Sequence, residues 1–403
     1  MKVLIVDLGS RMNKTGGQAR VAAQLYMGLR RRFDTYYLGY ETEYIEGKKD
    51  ANAILLKRSA ALGLGVRKSR VSEWLPVRMG YSLIVTRNML GLGIGKNELA
   101  ERVAKIKPDV VIANSMQDMV LLKYLKDCGI RFKSVYVDHG TISTNVKSYF
   151  SKEAIPLTLG SGINALGSRD ALRKFFGFFD MNVALNEKHK ESIARFTKKV
   201  TCIPNGVEVR AGKNKKVEDA LRKRYGLDKT DFVVLYLGRL FERQKNVSTL
   251  IRAFNRIKGE KVKLVIAGEG PSAGDYENLA KGNRNIVLTG GLKDAEIDAM
   301  YGVANVFVLP SNWEGFPVTV LEAAAHGLPI IISKSIMLSE YAIGKKHPIA
   351  FDTKSPDDLK MRILELCRDA EKRRAATEFS AKLAKKYDMR KMLDSYADLL
   401  QNV

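Results

Sequence analysis

Cysteine is scarce. Cys128, Cys202 and Cys367 are the three in a chain of 403 residues, odd in number and far apart, which excludes a disulfide framework and a C-x-x-C metal or redox pair. Proline, at 10 residues, and glycine, at 33, are too few for a collagen-like or low-complexity chain. Long hydrophobic runs are missing as well. No stretch approaches the roughly 18 to 20 apolar residues of a membrane-crossing helix, and the opening MKVLIVDLG turns polar at Asp7, too soon for the apolar region of a signal peptide. These absences predict a folded protein of a reducing, cytoplasmic compartment. Acid is also in short supply: 44 Asp and Glu face 68 Lys and Arg, a net charge of +24 whose larger part falls in the first half of the chain. Such a field favours an anionic partner, whether nucleic acid, an acidic membrane surface or a phosphorylated substrate.

What is present reads as alternating strands and helices. The length suits two domains of ordinary size. The first opens with a strand at Lys2 to Asp7, a glycine-containing loop and a helix from about Gln18 to Arg32, and apolar runs recur at Asp109 to Ala113 and Ser134 to Val137. This spacing predicts a parallel α/β sheet. The texture resets after Cys202 at IPNGVE, read as a turn-forming Asn-Gly. Five strands then follow, at Phe232 to Leu237, Val262 to Ala267, Ile286 to Thr289, Val306 to Leu309 and Ile330 to Ser333. They predict a second doubly wound domain, with a helical segment from Asp357 to Leu400 closing the chain. In sheets of this kind ligands bind beyond the carboxyl ends of the strands, so the strand-following loops are where chemistry is expected.

Four such loops stand out. After Leu309 comes PSNWEGFP and then VTVLEAAAHGLP, where Pro317 suits the first position of a helix that stops at Gly327. The open N–H groups at that helix start, with those of Gly315 and Phe316, offer a seat for an anion or sugar hydroxyls. Glu314 lies outside the helix start and Glu322 inside it. On a continuous helix they would be roughly 12 Å apart, too far for a hydrolytic carboxylate pair at about 5 to 9.5 Å, so they are either two separate binding groups or two incidental carboxylates. The second loop is Gly238-Arg239-Leu240 with Lys245 beyond it, where Arg and Lys can clamp a diphosphate or stand as surface cations. The third is Gly16-Gly17, which opens backbone N–H groups to a phosphate at a helix start or simply forms a flexible turn. The fourth is His139-Gly140, placed to exchange a hydrogen bond with a substrate hydroxyl or to serve the fold.

Two lookalikes are set aside. Gly268-Glu-Gly270-Pro-Ser-Ala273 imitates a dinucleotide fingerprint, but it follows the second strand of its domain and Pro271 interrupts it. GLGIGKN lacks the spacing and hydroxyl residue of a P-loop. No H-E-x-x-H, serine elbow or D-x-D occurs, so no catalytic metal or cofactor is expected.

Taken together the motifs resemble the retaining GT-B glycosyltransferases of family 4. The resemblance runs from the Gly-Gly loop and the His-Gly through I-P-N-G-V, G-R-L with K-N, and A-G-E-G-P, to E-G-F-P-x-x-x-L-E-A-x-A-x-G-x-P with its Glu314 and Glu322. It implies two Rossmann-like domains facing a deep cleft: an acceptor domain at 1–195, a donor domain at 196–386, and a last helix from about 387 packing back on the first. It further implies a nucleotide-sugar donor with Glu322 on the ribose, Arg239 and Lys245 on the diphosphate, and Glu314, Gly315 and Phe316 on the sugar. Gly238, Gly268 and Gly270 would line the donor site. Gly16 and Gly17 would meet the phosphates, and His139 would contact the sugar near the reacting carbon. The expected reaction moves a hexosyl unit, with retention and without a metal, to a lipid-linked or envelope-glycan acceptor. Asn186 and Gln18-Ala19-Arg20 depart from the usual pattern, on the acceptor side.

Residues 57–96 carry Lys57, Arg58, Arg67, Lys68, Arg70, Arg78, Arg87 and Lys96, interleaved with Leu62, Leu64, Val66, Trp74, Leu75 and Met79. This segment reads either as a face that docks on an anionic membrane or as a solvated surface over a core helix. The rival functions are a sugar-nucleotide epimerase or phosphorylase of the same fold and, in another class, a nucleic-acid-binding protein. The last has no helix-turn-helix, RNP or zinc pattern behind it, and nucleic acid is not an expected partner.

Overall fold

Seven strands build the first sheet, and their sequences explain why it is parallel and buried. A computed structural model of the chain describes residues 1–8, 17–40, 50–56, 96–116, 118–140, 169–208, 214–336, 341, 346 and 348–403. Among these, β1 (Lys2–Asp7), β2 (Asp34–Tyr40), β3 (Ala53–Leu56), β4 (Val110–Ala113), β5 (Lys133–Asp138), β6 (Met181–Ala184) and β7 (Val200–Cys202) pair in the order 3-2-1-4-5-6-7. Every neighbouring pair is parallel. Val3 to Val6 and Val110 to Ala113 are buried throughout, as a sheet covered by helices on both faces requires. Helices Gly17–Leu29, Lys96–Ile106, Asp118–Asp127, Arg169–Phe178 and Glu187–Ala194 supply the crossovers. Asn186 caps the last of these, its carboxamide oxygen accepting from the His189 N–H at 2.8 Å.

The second sheet follows the order 10-9-8-11-12-13 and is again parallel throughout. Its strands are β8 (Phe232–Leu237), β9 (Val262–Ala267), β10 (Ile286–Gly290), β11 (Val306–Leu309), β12 (Ile330–Ser333) and β13 (Ile349–Phe351). Helices Val247–Asn255, Ala273–Ala280, Asp294–Val303 and Val318–Ala325 connect them, and Pro356–Arg368, Ala370–Lys386 and Met389–Asn402 follow. Local signals set the ends: Gly226 adopts φ 62° at the stop of helix Lys215–Tyr225, and the Ser355 hydroxyl caps Pro356–Arg368 through the Asp358 N–H. Both sheets therefore reverse strand order once, at β1/β4 and at β8/β11, which opens a crevice beyond the strand ends.

The chain divides into Met1–Pro204 with Leu393–Val403, and Asn205–Met392. The division falls later than the expected 195/196 because β7 still belongs to the first sheet. The return to the first unit starts at Leu393 rather than 387 because Val207 exchanges backbone hydrogen bonds with Tyr387 and Met389, at 2.8 and 2.9 Å. Within the first unit, Gly28 makes room for Leu393: a Cβ there would lie 2.5 Å from that side chain. The reading of Asn205-Gly206 as a turn is corrected. Neither residue lies in a turn; Val207 beside them bridges to Asp388, and Gly206 is needed because a Cβ would meet the Met389 Cα at 2.7 Å.

Candidate active site

The carboxyl ends of β8 and β11 lie side by side at the second reversal, and both strands run into the loops singled out above. Close backbone packing shapes the first loop. The Gly238 N–H donates to the Ala267 carbonyl at 3.0 Å and the Leu240 N–H to that of Glu269 at 2.8 Å. Gly268, at φ 145°, lies so near that a Cβ would sit 1.9 Å from the Gly238 oxygen, and one on Gly270 would sit 2.2 Å from the Leu240 oxygen. These two glycines thus hold the loop carrying Arg239 in place. Gly238 itself sits over the Tyr236 hydroxyl, 3.1 Å from its Cβ position.

Five side chains converge there. The Lys245 ammonium pairs with Glu314 Oε1 at 2.6 Å, both side chains largely buried at 15% and 8% exposure, and the Ser311 hydroxyl donates to the same oxygen at 2.6 Å. The Gln244 carboxamide reaches toward Glu314 Oε2 at 3.5 Å and the Trp313 carbonyl at 3.4 Å. Its own oxygen accepts from exposed Arg239 at 3.0 Å, whose guanidinium lies over the Phe241 ring at 5.3 Å. Asn246, in the left-handed region at φ 49°, pins this corner by donating to the Pro310 and Thr353 carbonyls at 3.2 and 3.1 Å. Burial, followed by the charge of Glu314, holds the Tyr236 phenol well above its ordinary range.

The loop after β11 leads to helix Val318–Ala325, one residue shorter at each end than expected. Pro317 takes the N-cap with extended ψ 114° and supplies no side-chain hydrogen bond to the first turn, whose N–H groups are those left over in any helix. The Phe316 ring turns away into the core, 5.5 Å from Tyr341 and 5.2 Å from Tyr387, so its contribution to a ligand is its backbone beside half-buried Gly315. Glu322 stands apart from the Glu314 cluster. It is 5% exposed, and its Oε2 accepts from the Tyr301 hydroxyl at 2.9 Å. Glu314 and Glu322 therefore have separate partners.

The first unit brings a different set to its own reversal. His139 follows β5 and its Nε2 meets Asn114 Oδ1, after β4, at 2.9 Å. Asn114 exchanges hydrogen bonds with Gln18 at 2.7 and 3.1 Å, tying His139 to the helix that begins at exposed Gly17. The imidazole is half-buried, and desolvation pushes it down to about 4, so His139 is neutral near pH 7. Below it Asp118 accepts from the Leu8 and Ser115 N–H groups at 2.8 and 2.7 Å. Burial, then the charge of Asp7, raises its carboxyl well above the usual range. Gly16 and residues 57–95 of the basic segment lie outside the described residues. A shallow cavity of about 720 Å³ lined by Lys107, Arg131 and Lys133 lies at the opposite, amino-terminal edge of this sheet, away from every group named above.

Sequence reasoning missed Gln244, Ser311 and Tyr301. Gln244 directly precedes Lys245 and Ser311 sits inside PSNWEGFP, so both were within reach; Tyr301 carries no local signal. Among the described residues no group of three or more His, Cys, Asp or Glu is disposed to hold a metal, and no helix is long and apolar enough to cross a membrane.

The second unit also matches a known family: the model described as glycosyl transferases group 1 covers residues 217–383. Among curated relatives, the alpha-D-kanosaminyltransferase of Streptomyces kanamyceticus is 35% identical over 116 residues, 28% of this chain and 30% of that protein. The Escherichia coli UDP-Gal:alpha-D-GlcNAc-diphosphoundecaprenol alpha-1,3-galactosyltransferase is 35% identical over 147 residues, 34% of this chain and 36% of that protein. The chain thus spans about a third of the length of these curated relatives. Over its whole length it is similar to HepE of Anabaena, solved with UDP and glucose, at a TM-score of 0.71 and 15% identity with both chains covered completely. That likeness shows the fold: the chain has the GT-B architecture.

Proposed function

We propose that the chain is a glycosyltransferase that moves a hexosyl unit from a UDP- or GDP-hexose to a hydroxyl of a lipid-linked or cell-envelope glycan, with retention and without a metal. The observation that carries this reading is the cluster of Arg239, Gln244, Lys245 and Glu314 at the β8/β11 reversal. Breaking a sugar–phosphate bond leaves charge on the departing diphosphate. Cations already fixed in place, together with helix N–H groups, stabilise that charge without reorganising when it forms. Lys245 is held by Glu314 at 2.6 Å, so the incoming diphosphate meets an oriented ammonium and Glu314 is released toward the sugar hydroxyls. Arg239 offers its fork to the same diphosphate, and Glu322 takes the ribose. His139, neutral because of its burial, hydrogen-bonds the donor sugar without placing a second cation beside the reacting carbon. The E. coli relative's name joins a UDP-sugar to a diphosphoundecaprenol acceptor, and HepE was solved with UDP and glucose; both support a nucleotide-sugar donor here, and the first supports a lipid-linked acceptor. A cytoplasmic enzyme resting on the membrane face through residues 57–96 completes the proposal.

A thermal-shift panel with UDP, GDP, UDP-glucose, GDP-mannose, ATP, NAD and short single-stranded DNA, with and without EDTA, tests it. A ligand at 100 times its dissociation constant adds about 2.7 kcal/mol. A shift with one nucleotide-sugar that survives EDTA and vanishes in Glu322→Ala is expected; a shift with NAD or DNA alone rejects the reading. NMR of the product anomer decides retention, and co-sedimentation with anionic liposomes at low salt decides docking.

A further inference from the structure

Resting on the reading of Glu322 as the ribose ligand, we infer that Tyr301 is the positioning residue that makes this site select ribonucleotides. Glu322 is a nearly buried carboxylate on the second turn of helix Val318–Ala325, and a buried carboxylate keeps its charge and direction only where donors hold it. Tyr301 provides one from the last turn of helix Asp294–Val303, its hydroxyl 2.9 Å from Glu322 Oε2. The tyrosine is itself fixed. Its ring, 1% exposed, is stacked on His326 with centroids 4.8 Å apart and planes at 24°, and it packs against Phe307 at 6.1 Å. The His326 Nδ1 in turn bonds the Glu322 carbonyl at 2.8 Å. The hydroxyl thus meets the carboxylate at one place, and it does so as a neutral donor, so Glu322 is oriented without being neutralised as it would be by Arg or Lys. A carboxylate has about four acceptor sites, and Tyr301 uses one of them at a fixed angle.

Calorimetric titrations of the full chain with UDP, GDP and their 2′-deoxy counterparts test this, in wild type, Tyr301→Phe and Glu322→Gln. The wild type is expected to prefer the ribo form about tenfold or more, the range for a hydrogen bond to a charged group. Tyr301→Phe keeps both ring contacts and is expected to lower the preference below about threefold while the diphosphate continues to bind. A preference unchanged in Tyr301→Phe but lost in Glu322→Gln overturns the positioning role and leaves the ribose reading intact. A preference unchanged in Glu322→Gln overturns the ribose reading, and this inference with it. If Tyr301→Phe does not fold, His326→Ala, which frees the ring but keeps the hydroxyl, carries the test: a preference at least halved supports the role and an unchanged one overturns it.

Discussion

The two sheets reverse strand order in the same way, yet their crevices hold opposite chemistry. At β8/β11 full charges are present and matched: Lys245 on Glu314, with Arg239 joined through Gln244. At β1/β4 two groups lean to their neutral forms: burial lowers His139 to about 4, and burial with the charge of Asp7 raises Asp118 above the carboxylate range. Topology alone makes a place to bind; what the loops contribute decides whether that place fixes an anion or offers an uncharged hydrogen bond.

The largest effect is expected from Lys245→Ala, which strips the second crevice of its buried cation. Turnover should fall about 10²- to 10³-fold, as when one stabilising donor is removed. Stability should fall by about 3 kcal/mol because Glu314 is left as an unpaired, largely buried charge. Adding Glu314→Gln should recover much of the stability and none of the rate, as urea melts and initial rates will show. The next contrast is between glycines. Gly268→Ala forces a Cβ onto the Gly238 carbonyl and should cost about 3 kcal/mol, whereas Gly17→Ala, at an exposed helix start, should stay within about 0.5 kcal/mol. The last contrast concerns pH. His139 titrates near 4 when folded and near about 6.5 when unfolded, so between those values the unfolded chain binds more protons and stability falls as the medium is acidified. Urea midpoints of wild type and His139→Gln should converge as pH drops from about 6.5 to 4 if burial of the imidazole is as described.

Much of the second unit was legible because buried parallel strands are unbroken apolar runs between Gly and Pro: β8, β9, β11 and β12 fall where the pattern placed them. β2 did not, because DTYYLGY mixes tyrosines with polar residues and the helix before it was carried on to Arg32. The short edge strands β7 and β13, three residues each, have no more pattern than a loop. The site residues were legible one at a time. That Lys245 meets Glu314 was not, for the two are 69 positions apart and are joined only by the adjacency of β8 and β11. Tyr301 was hidden for the same reason, and Asn205-Gly206 misled because glycine served close backbone approach rather than a turn.

The most direct test of the donor site is calorimetric titration of the full chain with UDP and with GDP, in wild type and in Lys245→Ala and His139→Gln. The account predicts that one of the two nucleotides binds, that Lys245→Ala weakens it at least about tenfold, and that His139→Gln leaves it nearly unchanged, since the diphosphate is held at β8/β11. Binding lost in His139→Gln but kept in Lys245→Ala, or no binding of either nucleotide, would contradict it.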